Sequence, residues 1–420
     1  MIPLLATGIF VVGYFFIALE HKIHINKAAT ALFTGIILWT VVVFNSDKTS
    51  ILSDLGLHFE QIAEILFFLL GAMTIVELID VHDGFQLVQN LVRIKSRKRL
   101  LWALSCITFL LSAVLDNMTT TIVMVALLKK IFERKNDQWY FAGFIIIAAN
   151  AGGTWSPIGD VTTIMLWNAG YVSTIEIIKT VLLPSLICLM VPLTIVSLFS
   201  PKELRAALDK KENNSPEGHF ESRFILIMGI LSLLCVPLFK SVTHLPPFMG
   251  MLFGLSVLWV TTEIIHRKKS VETKARLSVT RTLQRIDTPS ILFFLGILLA
   301  VSSLEVLGIL KALGNSLEQE LSSFYVSNIL LGLLSAIVDN VPIVAGAMGM
   351  YSFEVYAPDH PFWSFLAYCV GTGGSTLIIG SAAGVSAMGL LNINFIWYLK
   401  RFSLLAMLGY LSGIVIYILQ

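Results

Sequence analysis

The sequence reads Leu110-Leu-Ser-Ala-Val-Leu-Asp-Asn117 in its first half and Leu333-Leu-Ser-Ala-Ile-Val-Asp-Asn340 in its second. Each stretch places an Asp-Asn pair inside hydrophobic sequence, where a carboxylate is costly. Further along, each is followed by a glycine-rich stretch, Asn150-Ala-Gly-Gly-Thr-Trp-Ser-Pro-Ile-Gly-Asp160 and Gly371-Thr-Gly-Gly-Ser-Thr-Leu-Ile-Ile-Gly-Ser381. Internal repeats with interrupted helices are typical of secondary transporters, so the sequence predicts a duplicated membrane carrier.

The composition supports a membrane location. Hydrophobic residues make up 56% of the chain and charged residues 13%, whereas soluble domains average about 25% charged residues. The sequence contains no phosphate loop, nucleotide fingerprint or zinc motif. We therefore expect no enzyme activity, no cofactor and no nucleic-acid partner, and we expect the chain to contact membrane lipid.

Apolar segments of about twenty residues, long enough to cross a bilayer, define the predicted fold. They lie near 2–19, 26–44, 59–80, 138–168 and 178–199, and again near 222–239, 246–266, 289–310, 362–390 and 395–419. Two further stretches, about 100–132 and 322–353, surround the Asp-Asn pairs and are predicted to form re-entrant hairpins. The expected fold is an all-α polytopic membrane protein with about 10 full spans and 2 hairpins.

The two halves are predicted to have inverted topology. Each repeat, 1–199 and 222–420, contains an odd number of crossings, one of them broken (138–168 and 362–390). All of the 29 basic residues except Lys48, Lys179, Lys240 and Lys311 fall on one side of the predicted membrane. Because Lys and Arg accumulate in cytoplasmic loops, the linker 200–221 is expected in the cytoplasm and both termini outside.

The interrupted helices and hairpin tips are predicted to form a cation site. Glycine and proline should break the helices and free backbone carbonyls for ion binding. Hard oxygen ligands and amides surround the first break and suit Na⁺ or Li⁺. The predicted break residues are Gly152, Gly153, Pro157, Gly159 and Gly373; the predicted site residues are Ser112, Asp116, Asn117, Thr120, Asn150, Ser156, Asp160, Thr162 and Thr163.

The charges of this core indicate which substrate it could take. We expect Asp116, Asp160 and Asp339 there, with no Lys or Arg, and Asp116 and Asp160 as the Na⁺ or Li⁺ ligands. Uncompensated buried carboxylates attract a cation or take up a proton. Competition between the two, joined to alternating access, would produce cation/proton antiport. We expect His82 to be a solvated histidine at the membrane interface. The alternative is that it senses pH.

At these motifs the chain resembles the NhaD-type sodium/proton antiporters of the ion transporter superfamily. The resemblance rests on the two Asp-Asn stretches and the two glycine-rich stretches, in order along nearly the whole chain. It implies scaffold and transport domains, elevator-like motion, homodimers and a bacterial inner membrane. It also implies that the second repeat contributes to the ion site through Ser335, Asn340 and Gly374; Asp339 and Ser375, in the same two stretches, are further candidate site residues.

Alternatives remain open at the level of sequence. Dicarboxylate carriers of the same superfamily resemble this chain, but their hairpin tips read Ser-Asn-Thr, whereas both Ser positions are Asp here. Export of a neutral oxyacid such as arsenite is a further option. An intramembrane aspartyl protease would pair Asp160 with Asp116 or Asp339, but it leaves the matched repeats unexplained. Ion stoichiometry, the preference among Na⁺, Li⁺ and K⁺, and the working pH range are not encoded in any readable pattern.

Overall fold

The computed structural model describes residues 2–18, 23, 25–44, 48–84, 96–199, 219–267, 269–320 and 323–420. Within these ranges the regular secondary structure is entirely helical. Most of the predicted linker, 200–218, lies outside the described residues, as do the basic residues Lys22 and Arg93 that were used to predict orientation.

The first repeat contains eight described helices. They are α1 Ile2–Ala18, α2 Lys27–Phe44, α3 Lys48–Val81, α4 Arg97–Leu115, α5 Asn117–Ile131, α6 Lys135–Thr154, α7 Val161–Asn168 and α8 Thr174–Phe199. The second repeat follows with α9 His219–Thr243, α10 Pro247–His266, α11 Val271–Arg276, α12 Val279–Leu283, α13 Thr288–Val306, α14 Ile309–Glu320, α15 Phe324–Leu334, α16 Asn340–Met350, α17 Pro361–Gly373, α18 Ala382–Leu391, α19 Phe395–Arg401 and α20 Ser403–Leu419.

Each predicted span coincides with a helix or a broken pair of helices. Among the described residues, seven helices are long and apolar enough to cross a membrane, or eight if α19 and α20, bent by 52° at their junction, form one span. Chains of this kind are integral membrane proteins. The α4 helix passes the same length test although it was predicted to be one arm of a re-entrant hairpin. The count of ten spans and two hairpins therefore stays a prediction.

Helix pairs and interrupted helices lie where the hairpins and broken spans were predicted, and re-entry of the hairpins into the membrane stays a prediction. Asp116 ends α4 and begins α5, while residues 335–339 separate α15 from α16. The first broken helix is interrupted at residues 155–160, between α6 and α7, and the second between α17 and α18. Gly152 and Gly153 were expected to interrupt the helix, but they lie inside α6. The interruption instead includes Pro157 and Gly159.

The two halves share one pattern of helix contacts. The first arm of each hairpin packs on the first part of a broken helix, α4 on α6 and α15 on α17. The return arms pack on the opposite repeat, α5 on α18 and α16 on α7. This crossed arrangement brings the tips of both hairpins and both helix breaks into one region.

Glycines allow the backbones to approach closely in both halves. A Cβ at Gly152 would overlap the carbonyl oxygen of Phe109 on α4, and a Cβ at Gly373 would overlap that of Gly332 on α15. At the breaks, a Cβ on Gly159 would lie 2.7 Å from the Ser112 carbonyl oxygen, and one on Gly380 2.6 Å from the Ser335 carbonyl oxygen. The glycines therefore serve close packing of each hairpin on its broken helix.

Candidate functional site

Asp116 occupies the turn at the tip of the first hairpin. Its backbone has φ 69° and ψ 159°, a conformation that is rare for any residue except glycine. The carboxylate caps α5, because Oδ1 accepts from the Thr119 amide at 2.8 Å and Oδ2 from the Thr119 hydroxyl at 2.7 Å. A strained residue that keeps a carboxylate at a buried helix start is a feature that functional sites often retain.

Asn117 joins the hairpin tip to the first broken helix. Its Nδ2 donates to Asp160 Oδ2 at 2.6 Å and to Asn150 Oδ1 at 3.1 Å. Asn117, Asn150 and Asp160 are all almost completely buried. The two bonds commit the side-chain nitrogen of Asn117 and hold its amide in one orientation.

Asn150 connects this group to the second broken helix. Its Nδ2 donates to Ser375 Oγ and to Ser381 Oγ, each at 2.8 Å. Ser381 caps α18 through a hydrogen bond from the Gly384 amide at 3.2 Å. Ser375 was predicted as a site residue, and the structure places it in this network. Residues from both repeats thus share one buried hydrogen-bonded group.

Asp160 begins the second part of the first broken helix. Its Oδ1 accepts from the amide and the hydroxyl of Thr162, both at 2.9 Å, and its carbonyl accepts from the Thr163 hydroxyl at 2.9 Å. The amide groups at a helix start favour a negative charge. Among the described residues, no Lys or Arg forms an ion pair with Asp116 or Asp160.

Several predicted ligands are committed to backbone groups. Ser112 donates to the Ala149 carbonyl at 2.5 Å, Ser335 reaches the Gly332 and Val370 carbonyls at 2.7 and 2.9 Å, and the Ser156 hydroxyl accepts from the Ile158 amide at 3.3 Å. These side chains hold the hairpins and breaks in shape. By contrast, the buried Thr120 hydroxyl has no hydrogen-bond partner, which leaves it available to an ion.

The second repeat reproduces part of this arrangement. When the oxygen and nitrogen of its side-chain amide are exchanged, Asn340 donates to the carbonyls of Gly380 at 3.1 Å and Val370 at 3.2 Å. A Cβ at Gly374 would lie 2.7 Å from the side-chain amide of Asn340. Asn340 and Gly374 therefore lie together at the second break, and Ser381 takes the position that Asp160 holds in the first repeat.

Asp339 differs from the other two aspartates. Its Oδ2 lies 3.7 Å from Lys27 Nζ, and the hydroxyl of Tyr14 accepts a hydrogen bond from its backbone amide at 3.0 Å. The prediction that no basic residue accompanies the three aspartates is wrong at this position. The error arose because Lys27, at the start of α2, is distant from Asp339 in sequence and comes close only through helix packing.

A cavity of about 560 Å³ contains the Lys27–Asp339 pair. It is also lined by Met118 of the first hairpin and by Ser386 of α18. A second cavity, of about 380 Å³, contains His58, Glu64 and Glu305. Glu64 there accepts from Asn168 at the end of α7 at 2.7 Å. Glu64 lies in α3 and Glu305 in α13, so no sequence spacing indicates that they share a cavity.

His82 was expected to be a solvated interfacial residue, and this expectation is wrong. Only 5% of its surface is exposed, because the ring stacks on His266 with centroids 5.0 Å apart. His266 lies at the end of α10, and no spacing motif links the two histidines.

Residues 14–371 match the CitMHS citrate transporter family. The chain belongs to this family. It is 44% identical over 419 residues to Sodium/proton antiporter 1 of Arabidopsis thaliana, covering 98% of this chain and 71% of that protein. Sodium/proton antiporter 2 of the same plant is 42% identical over 419 residues, covering 98% of each chain.

A bacterial relative is similar over the same length. The Na⁺/H⁺ antiporter NhaD of Vibrio cholerae is 29% identical over 445 residues, covering 99% of this chain and 91% of its own. The resemblance to NhaD-type antiporters drawn from the four motifs is therefore confirmed. This CitMHS family member is a membrane transporter, and its relatives are named as exchangers of sodium and protons rather than as enzymes.

The buried group of this CitMHS transporter has the chemistry of a cation site. Hairpin α4–α5 and broken helix α6–α7 supply a carboxylate and two side-chain amides through Asn117, Asn150 and Asp160, and the second repeat supplies two neutral serines. Asp160 is almost completely buried, and Asp116 lies at the tip of the hairpin whose Asn117 bonds Asp160. Carboxylates close together in a low dielectric cannot all carry a charge without a bound cation or proton.

Proposed function

We propose that this transporter exchanges Na⁺ or Li⁺ for H⁺ at the buried group formed by Asp116, Asn117, Asn150 and Asp160. The observation that carries the proposal is Asp160, which is almost completely buried and receives hydrogen bonds only from neutral donors. Such a carboxylate is ionised when a cation is bound and takes up a proton when the cation leaves. The same group therefore binds both substrates in turn.

The proposed ligands follow from the hydrogen bonds that are already made. Asp160 Oδ2 is held by the Asn117 amide, so a cation entering here would displace or share that bond. Thr120 adds an unpartnered hydroxyl, and Asp116 adds the second carboxylate. Ser375 and Ser381 hold Asn150 in place from the other repeat. In this arrangement the second repeat positions the site without supplying a proton.

Alternating access completes the proposed cycle. We infer that the hairpins and broken helices move together against α2, α3, α9, α10 and α13, in an elevator-like motion. Their backbones pack without space for side chains, which favours movement as one body. Inverted repeats, a homodimeric assembly, external termini and a bacterial inner membrane are further proposals; the relatives include plant as well as bacterial proteins.

Citrate or dicarboxylate transport is the second candidate, since the matched family is named for citrate. A carboxylated anion would need a basic partner. Lys27 is a basic residue beside the second hairpin tip, and it already pairs with Asp339. Anionic tips without a free cation should repel a dianion, so this candidate is less well supported.

Everted membrane vesicles test the proposal. Vesicles from cells that lack other sodium/proton antiporters are energised by respiration, and the collapse of ΔpH is recorded on adding NaCl, LiCl, KCl or sodium-free citrate or succinate. We expect Na⁺ or Li⁺ to collapse ΔpH and empty-vector vesicles to show no response. Uptake of radiolabelled citrate or succinate, with no collapse of ΔpH by any cation, would replace this proposal with the anion carrier.

A further inference from the structure

Three side chains converge at one end of helices α3, α9 and α10, away from the proposed ion site. The Nε2 atoms of His82 and His266 lie 3.2 Å apart, and His266 Nε2 lies 2.9 Å from Glu221 Oε1. The ligand atoms of all three residues fall within 4.8 Å of one another. His82 and His266 are buried, and Glu221 is partly exposed.

The tautomer of His82 directs a lone pair into this group. Its Nδ1 lies 2.7 Å from the Leu78 carbonyl oxygen, which can only accept, so Nδ1 carries the proton. In the neutral ring, Nε2 then carries a lone pair, and this lone pair faces His266 Nε2. A histidine held through Nδ1 by a carbonyl, with Nε2 free, has the usual geometry of a metal ligand.

Two acceptor atoms in this group compete for one donor atom. His82 Nε2 and Glu221 Oε1 are both acceptors, and both face the single Nε2 of His266. One proton on that atom cannot point at both acceptors. Lys269 Nζ donates to the two oxygens of Glu221 at 2.6 and 2.7 Å, and among the described residues it forms no hydrogen bond with His82. A cation placed between the three ligand atoms would satisfy all of them.

We propose that His82, His266 and Glu221 bind a divalent transition metal of the Zn²⁺ class, separate from the transported ion. The 3.2 Å separation of the nitrogens is close to the roughly 3.3 Å edge of a tetrahedron whose ligands lie about 2.0 Å from Zn²⁺. Water would complete the coordination. Imidazole nitrogen suits Zn²⁺, Ni²⁺ and Cu²⁺, whereas Na⁺ and Li⁺ prefer oxygen ligands.

Binding here would join three helices that are far apart in sequence. His82 follows α3, Glu221 lies in the first turn of α9 and His266 ends α10, and these helices also pack on one another. A metal that binds only the folded protein stabilises it in proportion to its concentration over Kd. Lys269 would keep one oxygen of Glu221 and yield the other to the metal.

The test uses the purified full-length protein in detergent, with any histidine tag removed. Zn²⁺ binding is titrated calorimetrically in excess Na⁺, and thermal unfolding is followed with and without ZnCl₂. We expect one Zn²⁺ per chain, not displaced by Na⁺, and a higher unfolding temperature in Zn²⁺. The His82→Gln and His266→Gln variants should each bind more than about 100-fold more weakly, since loss of a ligand exceeds loss of its supporting contacts.

Two further variants keep the outcome decisive. Glu221→Gln keeps one acceptor oxygen for Lys269 and should weaken Zn²⁺ binding even if a histidine variant folds poorly. His244→Asn is the matched control, because His244 is exposed at the end of α9 with φ 58°, a conformation that asparagine tolerates; its Zn²⁺ affinity should equal wild type. Absence of a saturable site in wild type, or equal binding by the folded variants and wild type, would overturn the proposal.

Discussion

Asn117 donates a 2.6 Å hydrogen bond to Asp160, and this bond links the tip of the first hairpin to the start of helix α7. Both residues are buried, and neither pairs with a basic side chain among the residues that the structure describes. A cation that binds Asp160 would therefore approach the carboxylate oxygen that now accepts from Asn117. Removing the negative charge while keeping the shape is the most direct test of this relationship.

Asp160→Asn should abolish Na⁺-dependent collapse of ΔpH without unfolding the protein. Asparagine caps a helix about as well as aspartate, so α7 should still begin at Val161. The measurement is exchange in everted vesicles, with membrane insertion checked by the yield of monodisperse protein. Exchange at the wild-type rate in this variant would remove Asp160 from the site.

Asp116→Gly should yield an inactive protein at least as stable as wild type. The backbone of Asp116, at φ 69° and ψ 159°, costs about 1–3 kcal/mol for residues other than glycine, whereas replacing an aspartate cap by glycine costs only a few tenths of a kcal/mol. Asp116→Ala keeps the strain and loses the cap, so it should be less stable than Asp116→Gly. Thermal unfolding of both variants checks the order, and the reverse order would contradict the strain at the tip.

Thr120→Val should weaken Na⁺ activation while leaving stability unchanged or slightly raised. The buried Thr120 hydroxyl lacks a partner, and removing an unsatisfied buried group relieves a cost of about 1–3 kcal/mol. Thr108→Val is the control, since the Thr108 hydroxyl donates to the Leu104 carbonyl at 2.7 Å and lies one hairpin arm away. Half-maximal Na⁺ concentration should rise only for Thr120→Val; an equal effect in both would indicate a packing change.

Gly152→Ala and Gly373→Ala should each destabilise the protein by about 1–3 kcal/mol or more, because overpacked interiors strain their neighbours. At both positions a Cβ would overlap a backbone carbonyl, which cannot move as a side chain can. Gly56→Ala is the control, with nothing within 4 Å of the added atom, and should gain about 0.5–1 kcal/mol from lower backbone entropy. Unfolding temperatures that fall equally in all three would reject the close approach.

Asp339→Asn should retain Na⁺-dependent exchange at a rate close to wild type. Its carboxylate pairs with Lys27 at 3.7 Å, and partly exposed pairs contribute about 0–1 kcal/mol. The same vesicle assay compares this variant with Asp160→Asn. If Asp339→Asn loses exchange as Asp160→Asn does, Asp339 is part of the ion site, as the sequence motifs predicted.

The features predicted best from sequence were those whose signal is local. The Asp-Asn pairs located both hairpin tips, and the glycine-rich stretches located both breaks, because capping and helix interruption depend on a few neighbouring residues. The network of Asn117, Asn150 and Asp160 was also within reach, since its members lie in two adjacent motifs.

Long-range pairings were missed for a physical reason. Lys27 meets Asp339, and His82 meets His266, only after helices from different parts of the chain pack together. No periodicity or spacing encodes such an encounter. The roles of Gly152 and Gly153 were misread because glycine permits both a break and a close approach, and only the position of the neighbouring helix decides which.

The overlap that forbids a Cβ at Gly152 and Gly373 limits how an ion could reach the centre of the molecule. If a hairpin moved away from its broken helix, the backbone of its first arm would separate from the backbone of that helix. Backbone carbonyls with no covering side chain would then be exposed to lipid. We therefore expect each hairpin to move together with its broken helix. The residues that bend during transport should lie in the segments that connect these two elements to the rest of the chain. Crosslinks between a hairpin and its own broken helix would leave transport running, while crosslinks across the outer boundary of that pair would stop it.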